Sequence, residues 1–147
     1  MAEAARRADA VWEGDLARGS GRVTLATTGL AKDLPVSWGA RTERPDGKTS
    51  PEELVAAAHS SCFCMALANT LAENGTPPER LEASATVTFA EADGGWKVSS
   101  SHLTVRGTVP GIDAAAFREA AETAKDGCPI SGALKGNVDL SVEAELA

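Results

Sequence analysis

The chain has 147 residues, with 43% hydrophobic and 24% charged side chains, three cysteines and no tyrosine. A chain of this size buries a core without metals or disulfides to brace it, and 4% aromatics leave that core aliphatic and closely packed. A net charge of −7 repels a phosphate backbone, so no nucleic-acid partner is expected.

Met1 to Ala10 holds paired arginines with no apolar segment behind them, and no run reaches the ~18 apolar residues a bilayer crossing needs. A cytoplasmic protein with no membrane partner is expected. In that reducing compartment an odd number of cysteines argues against a disulfide framework. Redox, nucleophilic or metal chemistry remains, alongside simple burial.

Val11 to Gly14 and Arg22 to Thr27 alternate apolar residues around Gly14-Asp15 and Gly19-Ser20-Gly21, predicting a hairpin. Trp38 to Thr42 reads as a further strand, followed by a polar loop, Arg44-Pro45-Asp46-Gly47-Lys48. Ser50-Pro51-Glu52-Glu53 combines an N-cap serine, a first-turn proline and a glutamate at the third position, so a helix starts there. It continues through Leu54, Ala58, Cys62, Met65 and Leu71 until Asn74-Gly75 closes it, ~35 Å in all. Few charges interrupt it, and such a helix is expected at the centre of a domain or between two subunits.

Ala83 to Ala90 alternates through Ala85, Val87 and Phe89, and Asp93-Gly94-Gly95 turns the chain into a second strand, Trp96 to Val109. That strand changes phase between Val98 and Leu103, which predicts a bulge near Ser100. Asp113 caps a helix ending at Gly127, Pro129 opens a short helical turn, and Val138 to Ala144 makes a last strand with one buried face. The order of elements is that of an α+β fold, a single domain over residues 1–147.

Cys62 lies inside the long helix among small residues, where an inert buried thiol is the plain alternative to a reactive one. Cys128 precedes Pro129 and so takes an N-cap position, where free N–H groups and the helix dipole favour a thiolate. Cys64 projects ~200° away from Cys62 around the helix, which excludes a disulfide between them. His59, three residues before Cys62, is a candidate general base for a cysteine nucleophile. A zinc site fails on spacing, because no paired Cys or His motif exists. Arg41 ends the strand ahead of the loop and is a candidate cleft cation, whereas Arg44 reads as solvated and His102 as a surface residue.

The segments T-S-P-E-E-L-V-A-A-A-H-S-S-C-F-C-M-A-L and G-C-P-I-S-G-A-L resemble the OsmC/Ohr peroxidases, thiol-dependent hydroperoxide reductases. Trp12-Glu13-Gly14-Asp15 and Val109-Pro110-Gly111-Ile112-Asp113 extend the likeness over nearly the whole chain and toward the OsmC branch. The resemblance implies an OsmC-like fold, antiparallel sheets around a long central helix, assembled as an intertwined homodimer with two interfacial sites. By motif position Cys62 is the peroxidatic cysteine, Cys128 the resolving one, Glu52 the active-site glutamate and Arg41 the OsmC-type arginine. Cys64 stands where the family commonly has serine, which leaves an alternative thiol open.

The implied activity reduces organic hydroperoxides, and hydrogen peroxide, to alcohols through a Cys62 sulfenic acid and a Cys62–Cys128 disulfide. Arg41 would favour the thiolate, and Glu52 would hold the guanidinium. No bound cofactor is implied. An external dithiol or protein reductant resets the pair, and the resemblance points to a lipoyl-type dithiol. The resemblance also implies a function in oxidative and osmotic stress. Along one helix Glu52 and Cys62 stand ~15 Å apart, so joint action requires them to come from different chains. Two other readings stand beside this one: a cysteine-nucleophile hydrolase or transferase using His59, and a non-catalytic dimer binding an apolar ligand.

Overall fold

The computed structural model describes residues 2–147; Met1 lies outside them. The chain divides into two compact units, Met1–Pro51 and Glu52–Ala147.

In the first unit, β1 (Asp9–Glu13), β2 (Ser20–Thr24) and β3 (Leu34–Val36) form an antiparallel sheet in that order. The predicted hairpin is β1 and β2, paired from Asp9 with Thr24 to Glu13 with Ser20. Trp38–Thr42, expected as a strand, is instead a short helix, α1. The cause is local: Ser37 is its N-cap, and its hydroxyl accepts from the Ala40 N–H at 3.1 Å. The strand on this side of the chain is β3, one residue earlier. Gly21 is the sole buried residue among the described residues of this unit.

α2 (Pro51–Glu73), all but its first residue in the second unit, starts and stops where predicted. Its end is a Schellman closure, in which the Thr76 N–H reaches the Leu71 carbonyl and the Gly75 N–H that of Ala72. Gly75 takes φ +83°, which glycine adopts without strain. β4 (Arg80–Ala92), β5 (Gly95–Thr108) and β6 (Asp139–Leu146) make the second sheet, with β5 in the middle, antiparallel to β4 and parallel to β6. The β4–β5 register jumps so that Thr88 faces Ser100 and Phe89 faces Val98. Ser99 is therefore the extra residue of the expected bulge.

From the bulge onward β5 buries every second residue: Ser101, Leu103, Val105 and Gly107. Against this face pack Phe63, Leu67 and Leu71 of α2, with Phe117, Ala120, Ala121 and Ala124 of α3 (Ala114–Gly127). The Asp113 carboxylate caps α3 by accepting from the Ala116 N–H at 2.8 Å. α4 (Pro129–Leu134) follows at once. Gly107 is required by space, since a Cβ there would stand 2.5 Å from Cζ of the buried Phe117 ring.

Only one stripe of α2 is buried within the chain: Glu52, His59, Phe63, Leu67 and Leu71. Its opposite face, through Ala57, Ser61, Met65 and Asn69, is exposed, with Met65 at 72%. By length and composition alone this helix could cross a membrane, contrary to the absence of such a run expected above. Its inner stripe, however, is packed on a sheet and carries a hydrogen-bonded histidine, as a core helix does.

Candidate active site: two cysteines brought together by two helices

Cys62 sits at the middle of α2 and Cys128 at the hinge between α3 and α4. Sixty-six residues apart in sequence, their sulfurs are 3.0 Å apart, with the Cys128 thiol donating toward Cys62 Sγ. Both are free thiols. Cys128 is both the C-cap of α3 and the N-cap of α4, and its backbone N–H closes α3 on the Ala124 carbonyl at 2.8 Å.

Cys128 takes the N-cap position expected for it. Cys128 makes no side-chain capping bond to α4; instead the backbone N–H of Ile130, second residue of that helix, serves the sulfur of Cys62. The unpaired N–H of a helix start thus acts across space on the other cysteine. Cys128 is also the more enclosed of the two, buried in the core, while Cys62 is only half-buried. Of the two sulfurs, that of Cys62 is therefore the more accessible from outside the chain.

Burial pushes the Cys62 thiol above its ordinary range, and the Cys128 thiol beside it adds to that; the Ile130 hydrogen bond pulls it back. Reactivity at neutral pH therefore calls for a cation near this sulfur. Cys64, half-buried on the side of α2 toward β4, is likewise raised by burial and partly restored by a backbone hydrogen bond with Ala83.

His59 is fully buried and does not serve Cys62. Its Nδ1 lies 2.6 Å from Ser101 Oγ on β5 and its Nε2 2.8 Å from Ser131 Oγ on α4. Burial lowers its pKa, so the ring is neutral, and with both nitrogens engaged by hydroxyls it is not placed as a base for a cysteine nucleophile. Ser101 and Ser131 are the site residues that sequence reading missed. The signal was present for one of them: Ser101 is in phase with Leu103 and Val105, so an alternating strand must turn it inward. His102 faces the other side, with Nδ1 2.6 Å from Ser141 Oγ.

Glu52, second residue of α2, is buried. Arg41 lies in the last turn of α1, in the first unit, with its backbone N–H bonded to the Ser37 carbonyl. The described geometry thus joins Cys62 to Cys128, while Glu52 stands ten residues from Cys62 on the same rigid helix.

Residues 44–143 match the family model for OsmC-like protein. The chain belongs to the OsmC-like family. Among its OsmC-like relatives, Peroxiredoxin OsmC of Escherichia coli is 38% identical over 138 residues, covering 94% of this chain and 95% of that protein. Organic hydroperoxide resistance protein OhrA of Bacillus subtilis is 30% identical and covers 84% of this chain and 86% of its own. The crystal structure of OhrB from Bacillus subtilis superposes with a TM-score of 0.75 at 27% identity, covering 95% of this chain and 98% of that one. The α+β architecture is accordingly the OsmC-like fold. Both cysteines and Glu52 fall inside the family match; Arg41 falls just ahead of it.

Proposed function

We propose that this chain is a thiol-dependent peroxidase that reduces organic hydroperoxides, and hydrogen peroxide, through Cys62 and Cys128. The 3.0 Å approach of the two sulfurs carries the reading, and the relatives named peroxiredoxin and organic hydroperoxide resistance protein support it. The Cys62 thiolate attacks one peroxide oxygen and the O–O bond breaks. That oxygen stays on sulfur as a sulfenic acid, and the alkoxide takes a proton and leaves as the alcohol. Cys128 then attacks the sulfenic sulfur, forming the disulfide and releasing water. An external dithiol, of the lipoyl type or carried by a protein, reduces the disulfide and is itself oxidised; no bound cofactor takes part.

Arg41 supplies the cation that the raised Cys62 thiol requires, and Glu52 orients it. Because Glu52 and Cys62 are ~15 Å apart on one helix, the glutamate acts on the partner's thiol in a homodimer. The exposed small-residue face of α2 and the coreless first sheet both suit a second copy. On that face the Ser61 hydroxyl turns back onto the Ala57 carbonyl at 2.7 Å, which lowers the cost of covering it. The whole chain acts as one OsmC-like domain in the cytoplasm, in defence against oxidative and osmotic stress.

The test is intact mass before and after one equivalent of cumene hydroperoxide, with peptide mapping. A loss of about two daltons localised to Cys62 and Cys128 is expected, that of one disulfide. Peroxide turnover retained in full by Cys62→Ser would overturn the reading.

A further inference from the structure

The buried histidine has no part in the chemistry above, yet it joins the two helices that carry the cysteines. His59 is three residues before Cys62 on α2, and Ser131 is three residues after Cys128 on α4. The 2.8 Å bond between Nε2 and Ser131 Oγ therefore ties the two helices at matching offsets from their thiols. Ser101 at 2.6 Å on Nδ1 anchors the ring to β5, so three elements meet at one imidazole. His59 and Ser101 are fully buried and Ser131 is 1% exposed, so water does not replace a lost partner. α4 spans six residues, under two turns, and the Gly132 N–H bonds the Cys128 carbonyl at 3.0 Å, which couples the position of Ser131 to that of Cys128.

A neutral ring carries one N–H and one lone pair, so one serine accepts from it and the other donates to it. The bridge is directional, with one serine as acceptor and the other as donor, and both ring nitrogens are satisfied.

We propose that Ser101, His59 and Ser131 form a positioning bridge that holds Cys128 against Cys62, and so sets the rate of disulfide closure relative to over-oxidation. This rests on the peroxidase reading. After the first peroxide, the Cys62 sulfenate has two fates. Cys128 attacks the sulfur, the S–S bond forms and water leaves; or a second hydroperoxide gives up an oxygen to the sulfur, yielding a sulfinic acid and a second alcohol. Of the two cysteines, attack on the first peroxide uses Cys62 alone, at the middle of α2. Closure needs two sulfurs at bonding distance with a narrow dihedral range, and depends far more steeply on where α4 stands. His59 and its serines touch no reacting atom; they act through the helix that bears Cys128.

The experiment uses full-length reduced wild type, Ser131→Ala and Ser101→Ala, each given cumene hydroperoxide in stopped flow with quenched intact-mass analysis. For Ser131→Ala, closure is expected to slow about five- to tenfold, the kinetic equivalent of one hydrogen bond, while consumption of the first equivalent changes by less than about twofold. The peroxide dose that converts half the protein to sulfinic acid falls in the same proportion. Ser101→Ala is expected to shift the ratio of closure to consumption in the same direction and carries the test if the first variant does not fold. Closure and over-oxidation at wild-type rates in either variant overturn the proposal, as does equal slowing of both steps. A wild type that consumes peroxide and forms no Cys62–Cys128 disulfide overturns the two-cysteine reading itself, whatever the variants do.

Discussion

The thiol of Cys128 points at the sulfur of Cys62 from 3.0 Å, buried behind it rather than exposed beside it. In the proposed cycle this order of depth gives the two cysteines different roles. Cys62→Ser is expected to abolish hydroperoxide consumption. Cys128→Ser is expected to consume one equivalent and then stall, gaining oxygen on Cys62 in place of closing a disulfide. Single-turnover consumption with intact mass reads both; sustained turnover by Cys128→Ser in the same dithiol would refute its role as resolver.

The chain raises the Cys62 thiol by burial and offers one backbone N–H in return. If Arg41 is the missing cation, Arg41→Ala moves the pH profile of peroxide reduction to the alkaline side by about 1–2 units. Arg44→Ala leaves it in place. The profile of the rate against pH for the two variants decides between these arginines.

His59 is held neutral by burial, so its folded pKa lies below the unfolded value of about 6.5. Below that pH the unfolded chain binds a proton that the folded chain refuses, and stability falls as the pH drops. Denaturation midpoints from pH 7.5 to 5.0 should show this decline in the wild type and a flatter line in His59→Gln. His59→Ala, which leaves two buried hydroxyls without their partner and opens a cavity, should cost about 3–5 kcal/mol.

Gly107→Ala drives a methyl group into the Phe117 ring, which is closed in on all sides. A loss of about 1–3 kcal/mol is expected from overpacking, read by urea denaturation. No change in midpoint would mean that α3 moves away from β5 at little cost.

Met65 stands at 72% exposure on the open face of α2. If that face is the dimer contact, the wild type elutes at twice 15.1 kDa and Met65→Glu shifts toward the single-chain mass with loss of peroxidase activity. A monomeric wild type with full activity would defeat the shared-site reading.

Local signals decided the parts of this protein that depend on neighbours in sequence. Ser50-Pro51 and Asn74-Gly75 delimit the central helix, Asp113 caps the next, and the phase slip after Val98 marks the bulge at Ser99, each because a cap or a pleat acts within a few residues. The motif likeness likewise singled out Cys62, Cys128 and Glu52. Trp38–Thr42 went wrong for the same local reason: five residues are too few for a period to show, and one hydroxyl, Ser37, selected a helix.

Only the tertiary structure decided what depends on distance across the fold. It showed that Cys128 lies deeper than Cys62, that the Ile130 N–H serves the other cysteine's sulfur, and that His59 is engaged by Ser101 and Ser131. These contacts span 42 to 72 residues of chain. They arise where a long helix, a strand and a six-residue helix are packed around one core, and a single sequence carries no record of that packing beyond the residues it makes possible.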